Sequence, residues 1–346
     1  MITREKFFRR FEPGKVDSVK KHFEQLRLAE DRKIRNEIMA DQNSTHFVNL
    51  CVYPFIAGGK LAETGYEIYS LDPYYYTGLK NFDVLLYNKD EGSSIFVECR
   101  SGTTFSNTLG DELKDKIERT QGLLLKQNIY GIQTDKLEFV LMINAVFDDQ
   151  VTKILNGTAV QEKIKVWKAD LHGGIIILHS GQHTNEKLTK SLTYPGVKCK
   201  DYNDVFNIMP STHIARKLEF VSSRMEIMLR NEGHEKFRLS DVVALLKEVF
   251  LNYPIEETEK ISKTILSEGE DIGIFSALDE EFYILNVGRK MGAAGDEAKE
   301  KYIKYKSEKD AEGLLFKEYP TVIEEMEKEE QRKEPSEPTT GQQKML

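Results

Sequence analysis

The sequence predicts a mixed α/β fold, with a sheet covered by helices on both faces and a helical module after it. Three observations carry this. Residues 81–102 read as a β-hairpin, residues 137–145 and 174–179 are near-continuous apolar runs, and the segments around them repeat apolar residues at helical spacing. Apolar runs of that kind suit strands buried on both faces. The chain has 346 residues, 40% of them hydrophobic, enough to bury a sizeable core. Charged residues make up 31%, and no apolar run approaches the length that spans a bilayer, so a membrane class is excluded. The opening residues lack an apolar signal core, and Cys51, Cys99 and Cys199 form no CxxC pair. A cytoplasmic protein in a reducing environment is the expectation.

Taken in order, residues 15–42 are expected to form a long amphipathic helix. Val16, Val19, Phe23, Leu26, Ile34 and Ile38 fall near helical spacing, with Asp17-Ser18 as the cap. Asn43-Ser44-Thr45 breaks the pattern, and residues 46–64 follow as a second, mostly buried helix that Pro54 and Gly58-Gly59 weaken. Tyr66 to Leu71 reads as a strand. The hairpin comes next, then a helix over 108–128, the first apolar strand, a helix over 149–163, a strand at 165–170 and the second apolar strand. Residues 211–290 change character. A helix over 214–231 precedes another over 237–250 capped by Ser240, then a break at Asn252-Tyr253-Pro254, a helix over 256–267 and short strands at 273–275 and 281–285. Helix, turn, helix and a small hairpin resemble a winged helix. The chain stays charged and helical to about Arg332. The expected division is a basic N-terminal helix (1–44), an α/β core (45–205), a C-terminal helical domain (206–332) and a disordered tail (333–346).

The hairpin is where chemistry is suspected. Lys89-Asp90-Glu91-Gly92 makes a four-residue loop between two strand-like runs. If Asn88 pairs with Ser93, the register sets Asp83 opposite Glu98 and Asn81 opposite Arg100. Side chains alternate along a strand, so Asp83, Glu98 and Arg100 share one face, while Val84, Leu86, Ile95 and Val97 take the other. Facing carboxylates repel, and the pair is stable only with a metal or a proton between them.

Asp83 on one strand, Glu98-Cys99-Arg100 on the next and a long helix after it resemble the PD-(D/E)XK nuclease superfamily. The resemblance covers residues 45–180 and implies a restriction-endonuclease-like core. It implies that Asp83 and Glu98 bind Mg²⁺, with Mn²⁺ as a substitute, and that the Cys99 carbonyl is a further ligand. The family's lysine, which positions and activates water, is replaced here by Arg100. Arginine stays protonated and can clamp a phosphate, but it is a poor water-activating group. Lys80, Lys114 or Lys116 could compensate, and Glu37 or Glu63 could be a third acidic ligand. The function implied is a Mg²⁺-dependent endonuclease hydrolysing DNA phosphodiester bonds, of restriction or repair type. Mg²⁺ between carboxylates supplies what that reaction needs, charge neutralisation and a hydroxide at neutral pH. The alternatives are a catalytically inactive nucleic-acid-binding or regulatory protein on the same fold, and a structural interaction protein.

Charge adds a further expectation. The net charge is −8, yet the first segment, from Arg4 to Arg35, is basic by roughly +5, which suits either a polyanion-facing side or a solvated helix face. The helix over 256–267 is rich in glutamate, unlike most groove-reading helices, which leaves DNA recognition and a protein-contact or homodimer role both open. His172, His179 and His183 match no metal spacing and read as solvated or core residues.

Overall fold

The computed structural model describes residues 2–333, apart from 79, 80, 103–105, 129, 200, 201, 203–205, 280 and 289. Lys80 and almost all of the expected C-terminal tail therefore lie outside the described residues. Two compact units emerge: residues 37–299, and the two chain ends together, Met1–Asn36 with Glu300–Leu346.

The larger unit is built on a seven-stranded mixed sheet whose strands run in chain order. They are β1 (Tyr66–Leu71), β2 (Val84–Asn88), β3 (Ser93–Arg100), β4 (Leu137–Asn144), β5 (Ile164–Asp170), β6 (Ile175–Ser180) and β7 (Val197–Lys198). The first three pair antiparallel, β3–β4–β5 parallel, and β5–β6–β7 antiparallel. Parallel neighbours need crossovers, supplied by α3 (Leu109–Lys126) and α4 (Asp148–Leu155). Alternation along the strands makes two cores. Val84, Leu86, Ile95, Val97, Val140, Met142 and Trp167 pack with Phe47, Leu50 and Cys51, and with Leu188 and Leu192 of α5 (Glu186–Leu192). Leu85, Phe96, Phe139, Leu141 and Ile143 pack on the other face with Leu109, Leu113, Ile117 and Val151. The sheet is thus covered on both sides, as expected.

Residues 214–285 follow as α6 (Ile214–Glu232), β8 (Phe237–Arg238), α7 (Leu239–Val249), α8 (Ile255–Asp271), β9 (Phe275–Ala277) and β10 (Phe282–Leu285), with β10 central in a three-stranded sheet. Asp241 rather than Ser240 holds the start of α7, accepting the Arg238 N–H at 2.6 Å.

Several expectations need correction. The helix break at Asn43-Ser44-Thr45 does not exist: α2 runs unbroken from Pro13 to Val52, beginning at a proline rather than at Asp17-Ser18. Thr45 donates its hydroxyl to the Asp41 carbonyl at 3.0 Å, and Phe47, Val48, Leu50 and Cys51 are all buried, so packing overrides weak local propensity. Residues 53–64 are not a helix but turns with short 3₁₀ segments, because Pro54 lacks the donor that α2 would need to continue. The helix expected over 149–163 is only α4, ending at Leu155 before Asn156 and Gly157.

The smaller unit joins α1 (Arg4–Phe8) and the start of α2 to the end of α9 (Ala294–Glu318) and to α10 (Pro320–Lys333). Phe7, Val19, Phe23, Ala311, Leu315 and Met326 form its core. The basic N-terminal segment meets the chain's own acids there: Lys6–Glu330 at 2.9 Å, His22–Glu318 at 2.6 Å, Arg35–Glu300 at 2.6 Å, and Arg10 with Glu329. Among the described residues no helix is long and apolar enough to cross a membrane.

Candidate active site

The register is the expected one. Val84 pairs with Val97 and Asn88 with Ser93, so Asp83 and Glu98 stand opposite each other at the open end of the hairpin. Asp83 sits one residue before β2, where its N–H bonds the Val97 carbonyl at 2.9 Å and its carbonyl accepts the Asp72 N–H at 2.8 Å. Its Oδ2 accepts the Cys99 N–H at 2.6 Å. Glu98 is only 3% exposed. Arg100 Nε lies 2.7 Å from Glu98 Oε1, a charge contact without hydrogen-bond alignment, and Arg100 also reaches Glu112 at 3.3 Å. Cys99 points away, into the core beside Cys51, leaving only its backbone at the site.

The other Glu98 oxygen, Oε2, receives Lys116 Nζ, which also donates to the Asn81 carbonyl at 3.0 Å. Lys116 is 6% exposed, the reverse of an ordinary lysine. It lies on the stripe of α3 that buries Leu109, Leu113, Ile117, Thr120 and Leu124, so the helix aims it at the sheet, whereas Lys114 is exposed. Of Lys114 and Lys116, the two candidates among the described residues, Lys116 is the one brought to the carboxylates. The helical phase was the available signal: a lysine on an apolar stripe.

Burial pushes the Asp83 carboxyl well above the usual range, and the Glu98 carboxylate pushes it further, while Lys116 and the Cys99 N–H pull against them. Asp72 adds to the upward push. That residue is buried, adopts a left-handed backbone at φ 49°, and accepts the Ser211 N–H at 2.8 Å. Its own carboxyl is raised by burial. Neither Glu37 nor Glu63 lines this site; both are exposed, and the further acids here are Asp72, Glu112, Asp115 and Glu257. They come from a loop, from α3 and from α8, so sequence spacing gave no hint of them.

The carboxylates face a cleft of about 880 Å³, between residues 72–78 and 81–83, α3 and α8. Among the described residues no three acid, histidine or cysteine side chains converge to hold a metal ion. The donor chemistry still suits Mg²⁺, which needs few protein oxygens and keeps several waters. Asp83, Glu98 and the Cys99 carbonyl are the oxygens such an ion would take, and the repulsion that raises the Asp83 carboxyl is what a divalent cation relieves.

Of the histidines read from sequence as solvated or core, one is buried and two are exposed. His183 is buried between Trp167 and Glu138, His179 bonds Thr152 at 3.1 Å, and His172 is exposed. Cys51, Cys99 and Cys199 are buried and unpaired. Comparison with protein-family models, with curated proteins and with solved structures gives no match.

Proposed function

We propose that this chain is a Mg²⁺-dependent nuclease that hydrolyses DNA phosphodiester bonds on a restriction-endonuclease-like core. The observation that carries the reading is the meeting of Asp83, Glu98 and Lys116 at one end of the β2–β3 hairpin. A Mg²⁺ ion held by the two carboxylates would neutralise phosphate charge and supply hydroxide at neutral pH. Lys116 fills the role that Arg100 is chemically unsuited to. Two of its three N–H bonds go to Glu98 and Asn81, which leaves one for a phosphate oxygen or the attacking water. Arg100, fixed between Glu98 and Glu112, presents the rest of its guanidinium fork to the phosphate. Asp83 is oriented by the Cys99 N–H through Oδ2, and Oδ1 carries no hydrogen bond among the described residues.

The order of elements over residues 214–285, with its three-stranded sheet, supports a winged-helix-like module. In this reading its third helix, α8, walls the cleft. The test is plasmid DNA with Mg²⁺ or Mn²⁺ beside an Asp83→Ala control. Nicking by the wild type alone supports the proposal, and no cleavage under either metal removes it.

A second reading has its own observation. Each Glu98 oxygen already faces a cation, an arrangement that neutralises the glutamate without a metal. A catalytically inactive nucleic-acid-binding protein on the same core would look so. Mn²⁺ titration followed by electron paramagnetic resonance separates the two, because the inactive protein takes up no ion that Asp83→Ala abolishes.

A further inference from the structure

The cleft in front of the carboxylates has two unlike walls. On one side stand Tyr75 and Tyr76; on the other, Glu257, Lys260, Ile261 and Thr264 of α8. Those four α8 positions make one stripe, and the stripe behind them, Thr258, Ser262, Ile265 and Leu266, is buried in the module's own core. The outward remainder carries Glu256, Glu259 and Glu270 against Lys263. So α8 has no basic face left to lay into a duplex groove, where phosphate contacts supply most of the affinity.

The size of the cleft points the same way. At about 880 Å³ it falls within the span of pockets that enclose small ligands, roughly 300–1,000 Å³. A volume of that order suits a few nucleotides of one strand better than a duplex. A second hollow of about 460 Å³, with Ser106 and Leu109 on its far side, shares Asp83, Glu98, Arg100 and Glu112 with the first. The carboxylates therefore stand where two hollows meet, as a strand running past them requires. Tyr75 is 43% exposed, unusual for a large aromatic side chain, and the Tyr76 ring is braced edge-on by Tyr253 at 6.0 Å. Aromatic faces stack on unpaired bases, whose π-faces are free, while bases inside a duplex already cover each other. Arg100 and Arg119 line the same cleft and are placed for the backbone.

We propose that the substrate is an unpaired strand, a single-stranded polynucleotide that lies between Tyr75 and α8 with its backbone toward Arg100 and Arg119. This rests on the nuclease reading above and narrows its substrate.

The experiment uses one fluorescein-labelled oligonucleotide, single-stranded or annealed to its complement. Cleavage is followed in Mn²⁺ and binding by anisotropy in Ca²⁺, for the full chain and for Tyr75→Ala and Tyr75→Phe. The expected result is faster cleavage of the single strand. Tyr75→Ala should raise KM about tenfold with kcat held, the order of one lost base–aromatic stack, and Tyr75→Phe should restore it. Cleavage of the duplex as fast or faster, still abolished by Asp83→Ala, overturns the unpaired-strand proposal and leaves the nuclease reading standing. If neither substrate is cut, the nuclease reading fails and anisotropy decides alone. Tighter binding of the single strand, weakened about tenfold by Tyr75→Ala, then supports the substrate class. Equal binding of both forms, or none, overturns it.

Discussion

Two buried glutamates on neighbouring strands show how differently one fold can treat the same side chain. Glu98 on β3 and Glu138 on β4 are both nearly inaccessible, at opposite ends and on opposite faces of a parallel pair. Glu138 is fully provided for. The Thr184 N–H and hydroxyl donate to its Oε1 at 2.7 and 2.8 Å, and Lys165 stands 3.5 Å from Oε2. Trp167 Nε1, a donor only, bonds His183 Nε2 at 2.9 Å, so the imidazole proton sits on Nδ1 and is donated to Glu138 Oε2 at 2.5 Å. Burial pushes the Glu138 carboxyl up, but the His183 and Thr184 hydrogen bonds outweigh it and bring it to about 2. Glu98 has cations on both oxygens, but a second carboxylate, Asp83, stands opposite it, and the Asp83 carboxyl is driven upward by burial and by Glu98. One acid is a clasp, and the other belongs to a site that holds unresolved repulsion. A strongly perturbed carboxyl in a cleft is what marks a candidate functional site.

The largest expected effect comes from removing a cation from each glutamate in turn. Under the nuclease proposal, Lys116→Met should lower kcat on the order of 10²-fold or more, and it should cost roughly 3 kcal/mol by leaving Glu98 with Arg100 alone. Lys165→Met should cost less than about 1 kcal/mol, since His183 and Thr184 still hold Glu138. Urea melts of both variants beside a cleavage assay check the contrast, and equal losses would erase it. Next in size, Glu138→Gln should destabilise by roughly 3 kcal/mol at neutral pH without touching kcat. A carboxyl depressed on folding stabilises above its unfolded value and loses that contribution as pH falls. The gap between Glu138→Gln and wild type should therefore close between about pH 4.5 and about pH 2.

A smaller effect of opposite sign is expected at the cleft. The Asp83 carboxyl is raised on folding, so ionising it opposes the folded state above its unfolded value, about 3.9, and has no effect below it. Asp83→Asn keeps an acceptor for the Cys99 N–H and removes the repulsion. It should gain about 1 kcal/mol at pH 7, with the gain vanishing toward pH 4, while cleavage is lost. Calorimetry across pH reads both. Last, Mn²⁺ should raise the wild-type Tm by a few degrees, more at pH 8 than at pH 5 because the ligands must be deprotonated. It should leave Asp83→Asn unmoved and act on Glu138→Gln as on wild type.

What the sequence made legible was governed by local rules. The four-residue loop fixed the hairpin register, and strand alternation then assigned Asp83 and Glu98 to one face and Val84, Leu86, Ile95 and Val97 to the other. The apolar runs gave β4 and β6 for the same reason. What stayed hidden depends on partners far along the chain. α2 continues through Asn43-Ser44-Thr45 because its last turns are buried against the sheet, which no local window contains. Asp72 joins the site through a left-handed turn, and Glu257 through a helix well over a hundred residues later. On α3, Lys116 and Lys114 were equal candidates until helical phase set Lys116 apart.

The pairing of the two chain ends in one small unit has a consequence for how the protein is made. Phe7, Val19 and Phe23 find their cover in Ala311, Leu315 and Met326, about three hundred positions downstream. During synthesis the segment carrying Phe7 and Phe23 leaves the ribosome with those side chains uncovered and stays so until some three hundred further residues have been made. Contacts so distant in sequence form late, and the exposed segment is open meanwhile to wrong partners. Lys6 and Arg10 keep that segment charged and soluble in the meantime, and they later pair with Glu330 and Glu329.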